Sequence, residues 1–131
     1  MRDFSEGRLR NGFELRIEKA SRINFEWRDW SEAKYVTGPA FTIRDGQLRV
    51  GQAPPVALPI DQWIQFDIAA GVGAAADGRW AMTVTAPGMV VREYRDQPLN
   101  ASFGKLTWAG FTSNATTNTS FYLDNFTMGL E

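Results

Sequence analysis

Residues 62–95 constrain the fold of this chain more than any other stretch, because their side chains alternate with a period of two. Ile64, Phe66 and Ile68 alternate with Gln65 and Asp67; after a glycine-bearing loop, Trp80, Met82 and Val84 alternate with Ala81, Thr83 and Thr85. A period of two sends successive side chains to opposite faces of a strand, so each segment has one apolar face to bury. Pairing Ile68 with Trp80, Phe66 with Met82 and Ile64 with Val84 keeps the large apolar groups together. A slip of one residue would put them all in water. Pro87-Gly88 then turns the chain into a third segment, VVREYR, and the whole reads as an antiparallel meander.

The same logic extends in both directions. Residues 1–11 carry few apolar anchors and read as a lead-in. Over residues 12–28 a hairpin with a three-residue loop pairs Ile17 with Phe25 and Leu15 with Trp27, and sets Arg16 opposite Glu26 and Glu14 opposite Arg28. Residues 29–39 break the pattern and read as a loop carrying Trp30 and Tyr35. Asp45-Gly46 is a type I′ turn signal, and it pairs Ile43 with Leu48 and Phe41 with Val50. Pro54-Pro55 cannot continue a ladder, so residues 53–61 are expected to cross between sheets. Residues 96–104 read as a loop and 105–113 as a strand apolar on both parities; Trp27, Trp80 and Trp108 are all expected in the core. A polar turn follows at 114–119. In the last segment Phe121 and Leu123 are odd while Phe126 and Met128 are even, which calls for a bulge near Asp124-Asn125 or burial of both faces. No apolar pattern at 3.6 spacing runs beyond two turns. About eight short strands with frequent turns predict an all-β, two-sheet antiparallel sandwich, a jelly roll, with essentially no helix, in one domain spanning residues 1–131.

Composition narrows the chemistry. With no Cys and no His, the chain lacks a thiolate nucleophile, a zinc-finger site and the commonest general base, so catalysis would fall to carboxylates. Fourteen basic residues against fifteen acidic ones give a net charge of -1, which argues against a nucleic-acid partner. No apolar run approaches the ~18 residues of a membrane span, so no membrane partner is expected.

The run Trp63-x-x-Phe66-x-Ile68, the loop to Asp77-Gly78-x-Trp80, Met82-x-Val84 and the late strand Phe121-Tyr122-Leu123-Asp124-Asn125 together resemble the concanavalin A-like lectin/glucanase jelly rolls, including their laminin G-like members. The resemblance covers about residues 12–129. It implies a polysaccharide or glycan ligand on a sheet face or at its rim, an extracellular or periplasmic location, and in some members a structural calcium ion. The glucanase E-x-D-x-x-E pattern is absent, and the Arg partners expected for Glu14 and Glu26 would keep both ionised, which makes each a poor general acid. The expectation is therefore a non-catalytic carbohydrate-binding or laminin G-like module, an accessory domain with no cofactor that contacts other domains of a parent chain. The alternative is a structural or protein-interaction sandwich without a sugar ligand, and a third is a carboxylate-dependent hydrolase or lyase. Candidate ligand residues are Arg16, Glu26, Arg28, Trp30, Tyr35 and Arg92. Arginines and carboxylates hydrogen-bond sugar hydroxyls, and an exposed aromatic ring covers the apolar face of a pyranose. The rival for each is an ordinary solvated face held by charge pairs. Asp96, Asp124 and Asn125 are the oxygen donors available for calcium, set against a plain role in turns and bulges.

Overall fold

The computed structural model describes residues 3–88, 92–113 and 119–131. Strands β1 (Gly7–Ile17), β6 (Ile64–Val72), β7 (Arg79–Thr85), β8 (Arg92–Pro98) and β10 (Phe121–Leu130) form one antiparallel sheet in the order β10-β1-β6-β7-β8. Strands β2 (Arg22–Asp29), β3 (Val36–Arg44), β4 (Gln47–Arg49), β5 (Val56–Ala57) and β9 (Trp108–Ser113) form the other, in the order β5-β4-β3-β2-β9. The only helical turn among the described residues is the short 3-10 segment Gly73–Ala75. This is the expected all-β, two-sheet antiparallel sandwich.

Alternation builds the core. Odd residues of β1 and even residues of β6 face inward from the first sheet, and odd residues of β2 and β3 face inward from the second. Phe13 sits where the sheets meet, fully buried, with ring centroids 4.9 Å from Phe25, 5.3 Å from Phe66 and 5.2 Å from Phe111. One buried polar chain crosses this core: Trp27 Nε1 donates to Asn11 Oδ1 at 3.1 Å, and Asn11 Nδ2 donates to the Thr127 carbonyl at 2.6 Å. Every buried donor in that chain has a partner, so Asn11 links β2, β1 and β10 without leaving a polar group unpaired.

Several local expectations change. β1 and β2 are not a hairpin. They lie in different sheets, β1 between β10 and β6 and β2 between β3 and β9. Arg16 therefore pairs across the ladder with Tyr122 rather than Glu26. β1 begins at Gly7, so residues 7–11 of the expected lead-in are strand. The β6–β7 register differs by two residues from that expected, with Ile68 opposite Met82 and Ala70 opposite Trp80. β3 starts at Val36, and the interruption at Gly38-Pro39 is a bulge: Glu26 pairs with Ala40 and Arg28 with Thr37, leaving two β3 residues against Trp27 alone. A bulge is one of the few places where a strand tolerates proline, which has no N–H to donate. Residues 96–98 end β8 rather than begin a loop. The third meander segment is described from Arg92 onward, and most of the expected 114–119 turn lies outside the described residues.

Other expectations hold. The chain passes from the second sheet to the first between β5 and β6, after Pro54-Pro55. The β10 bulge falls where the parity change required it: Gly12 pairs with Thr127 and Glu14 with Asp124, and Asn125 takes a φ of 52°. Asp45 and Gly46 have φ of 54° and 73°, the left-handed pair of a type I′ turn. Gly46→Val should lower stability by about 1–3 kcal/mol, since a β-branched residue is strained at positive φ. A Cβ there would also meet Ile60 Cδ1 at 3.3 Å. Urea denaturation of the variant checks this, and an unshifted midpoint would mean the turn does not hold that geometry.

Candidate functional site

The even residues of β2 point away from the core and, with their cross-strand neighbours, pave the outer face of the second sheet. Arg28 lies between Trp108 of β9 and Thr37 of β3, Glu26 between Gly110 and Ala40, Asn24 between Thr112 and Thr42, and Arg22 faces Arg44. At the Arg28 end this face is built rather than merely solvated. Arg28 Nε donates to Glu26 Oε1 at 2.6 Å, and both side chains are only about a fifth exposed, at 20% and 21%. The guanidinium carbon lies 4.1 Å from the Tyr35 ring centroid and 4.3 Å from that of Trp108, so the plane is held between two aromatic faces. Thr37 Oγ1 donates to the other Glu26 oxygen at 3.3 Å. Glu26 thus holds Arg28 through Nε alone among the described residues, and the terminal Nη1 and Nη2 keep their N–H donors for a ligand. Trp30 and Tyr35 meet at 4.8 Å between centroids and remain exposed at 47% and 39%.

Local sequence explains why the site holds its shape. Gly110 has no Cβ, and one placed there would approach Trp108 Cζ2 to 2.8 Å, so the glycine lets the indole lie along the strand. Thr107 ties the aromatic loop down: its hydroxyl donates to the Arg28 carbonyl at 3.1 Å and accepts from the Trp30 amide at 3.0 Å. Asp29, 5% exposed, clamps two loops at once. Its Oδ1 accepts from the Ser31 amide and hydroxyl, and its Oδ2 accepts from the amides of Gly104 at 3.0 Å and Lys105 at 3.1 Å. Burial alone would raise the Asp29 pKa, but the Ser31 hydroxyl and the Gly104, Ser31 and Lys105 amides together outweigh it and lower the value.

The sign of the pH effect follows. A carboxyl whose folded pKa lies below its unfolded value of about 3.9 adds stability above that pH, and the contribution disappears as pH falls through the folded pKa. Asp29→Asn should therefore cost about 1.5–3 kcal/mol at pH 7, the range for hydrogen bonds to a charged acceptor. In denaturation curves the gap from wild type should start to narrow below about pH 4 and close as pH falls through the lower folded pKa. A pH-independent gap would assign the loss to packing.

Four of the six candidate ligand residues, Glu26, Arg28, Trp30 and Tyr35, come together here. Arg16 does not; it lies on the outer face of the first sheet, opposite Tyr122. Arg92, on the edge strand β8, lines a separate cleft of about 290 Å³ with Pro54, Pro55 and Tyr94. Glu14 hydrogen-bonds Asn125 Nδ2 at 3.2 Å on the first sheet, so Glu14 and Glu26 face away from each other on opposite sides of the sandwich and cannot form a carboxylate pair. The calcium candidates are also apart. Asp96 belongs to β8 and Asp124 and Asn125 to β10, the two opposite edges of one sheet. Asp96 ion-pairs with Arg79 at 3.5 Å, and Asp124 Oδ1 accepts the Asn125 amide at the bulge. Among the described residues no three Asp, Glu, His or Cys side chains converge on a metal position. Trp27 and Trp80 are buried as expected, but Trp108 is not a core residue: it is a wall of the site. Its outward direction follows from a reversal of parity between Leu106, which is buried, and Trp108, a change that the run of apolar residues on both parities conceals.

No protein-family model matches the chain, and no curated protein matches it either. Two solved structures share the fold. The PL-14 alginate lyase from Aplysia kurodai is 9% identical with a TM-score of 0.60, over 97% of this chain and 71% of its own. The endo-β-1,4-glucuronan lyase from the fungus Trichoderma reesei is 11% identical with a TM-score of 0.56, over 98% of this chain and 73% of its own. At this identity the likeness shows the jelly-roll sandwich and leaves lectin or laminin G membership unshown. Both proteins are polysaccharide lyases. This corrects the expectation of a non-catalytic accessory module and of a chain that is not an enzyme, because the fold matched here is one that carries catalysis.

Proposed function

We propose that the outer face of the second sheet binds an acidic polysaccharide and cleaves it by β-elimination at the Arg28 end, in an extracellular or periplasmic setting. The observation that carries this reading is the Arg28 guanidinium, fixed by Glu26 and held between Tyr35 and Trp108 with its terminal donors uncommitted among the described residues. A planar, bidentate donor of that kind suits a uronate carboxylate. Pairing the carboxylate with a fixed cation stabilises the negative charge that builds on it when the neighbouring C5 proton is removed. Tyr35 is the group beside Arg28 able to carry that proton. Acting as the phenolate, it takes the proton from C5 as the C4–C5 double bond forms and the C4–O glycosidic bond breaks, and the phenol so formed gives that proton to the departing oxygen, so no water is consumed. Trp30 supplies the ring face for an adjoining sugar. That both structural neighbours are polysaccharide lyases supports the same reaction class.

Incubation with alginate and, separately, with glucuronan tests the reading. Chain shortening with rising ultraviolet absorbance from a double bond conjugated to the carboxylate is the expected result. Intact polymers after prolonged incubation with both, together with a panel of other uronate polymers, would overturn it.

A further inference from the structure

At the opposite end of the same face lies a cluster of cations that the Arg28 site does not use. Arg22 of β2 and Arg44 of β3 are direct cross-strand partners, and Arg49 of β4 pairs with Thr42, one diagonal step from Arg44. Like charges placed directly opposite on a sheet destabilise it. No direct ion pair offsets that cost: no carboxylate oxygen of the described residues lies within 4.0 Å of these three guanidinium groups. Every Asp and Glu of the chain is among the described residues, so the acidic complement is fully accounted for. The side chains of Asn24 and Thr42, in the neighbouring row, also make no hydrogen bond among the described residues. An open cleft of about 410 Å³ is lined by Asn24, Thr42, Arg44 and Arg49, together with Asp45 of the turn.

We propose that this cleft is an anion subsite that takes a carboxylate or sulfate group on a sugar remote from the reacting one. Arg22 lies six residues from Arg28 along β2, or about 20 Å at the rise of a strand, so one extended polymer can span both ends of the face. Charge repulsion and uncommitted donors carry the anion site itself; that its anion belongs to the polymer cleaved at Arg28 rests on the reading above.

The test is direct binding, which needs no turnover. Affinity of wild type and of the double variant Arg44→Gln/Arg49→Gln is measured by calorimetry at low salt against alginate, dextran sulfate and neutral dextran. The double variant should lose about tenfold or more in affinity for a charged polymer, the size expected from losing one charged hydrogen bond. Loss against alginate alone identifies a carboxylate site, and loss against dextran sulfate identifies a sulfate site. Wild-type affinity of the variant for both charged polymers would overturn the subsite and leave the cleavage reading standing. An equal loss against neutral dextran would also overturn it, since charge would not be what the cleft reads. Arg44→Gln alone should leave Tm unchanged or raise it by relieving the repulsion with Arg22. A Tm lowered by several degrees would make the cluster structural. If the double variant loses affinity while wild type cleaves no polymer, the subsite stands and the reaction at Arg28 falls.

Discussion

Phe13→Ala should lower stability by about 3–5 kcal/mol, the range for truncating a fully buried aromatic, where lost burial adds to the cavity left behind. The position is costly because Phe13 belongs to both halves of the core. It stacks on Phe66 within its own sheet and meets Phe25 and Phe111 of the other at centroid separations of 5.3, 4.9 and 5.2 Å. Each aromatic pair adds about 0.5–1.5 kcal/mol beyond burial, and the neighbours belong to three different strands, so local collapse cannot refill the gap. Against a total of about 5–15 kcal/mol for a domain, that is a large share. Equilibrium denaturation in guanidinium gives the value. A midpoint close to wild type would mean that the sheets do not pack through this ring.

The second large effect is on activity. Arg28→Gln keeps side-chain hydrogen bonding but removes the cation and the planar fork, so turnover of a uronate polymer should fall by about a hundredfold or more, the scale seen when one preorganised charge-stabilising donor is lost. Stability should change far less, because Arg28 lies on the outer face and pairs only with Glu26 among carboxylates of the described residues. Tyr35→Phe separates the roles: the ring still packs against the guanidinium and Trp30, while the proton carrier is gone. It should reduce kcat with little change in KM. Equal kcat for Tyr35→Phe and wild type would move proton transfer to another group.

Much of this was legible from alternation alone, and the errors of strand pairing share one physical origin. Side-chain parity says which residues face the core but not which sheet they face it from. β1 and β2 sort their apolar residues equally well as a hairpin or as strands in opposite sheets, because either arrangement puts the odd residues of both strands in the core; the structure has Phe13 and Phe25 meeting across it. That ambiguity placed Arg16 beside Glu26, when the two lie on opposite outer faces. The two-residue shift in the β6–β7 register has the same cause, since a shift by a full period leaves every face unchanged. The Asp45-Gly46 turn and the Asn125 bulge were legible because each needs special backbone angles that few residues adopt. The site was half legible. Glu26 and Arg28 share a face by being two apart, and Trp30 and Tyr35 stand out as aromatics in a polar loop. Trp108 and Thr107 reach the site through long-range pairing, and Asp29 braces it through bonds to Gly104 and Lys105, none of which a local pattern encodes.

The central claim is that the Arg28 face cleaves its polymer by elimination, and the masses of the products from a uronate oligosaccharide test it most directly. Elimination predicts that the two fragments together weigh the same as the substrate, with the double bond on the new non-reducing end and no oxygen incorporated from labelled water. Fragments that together gain one water, carrying the label, would show hydrolysis and contradict the account.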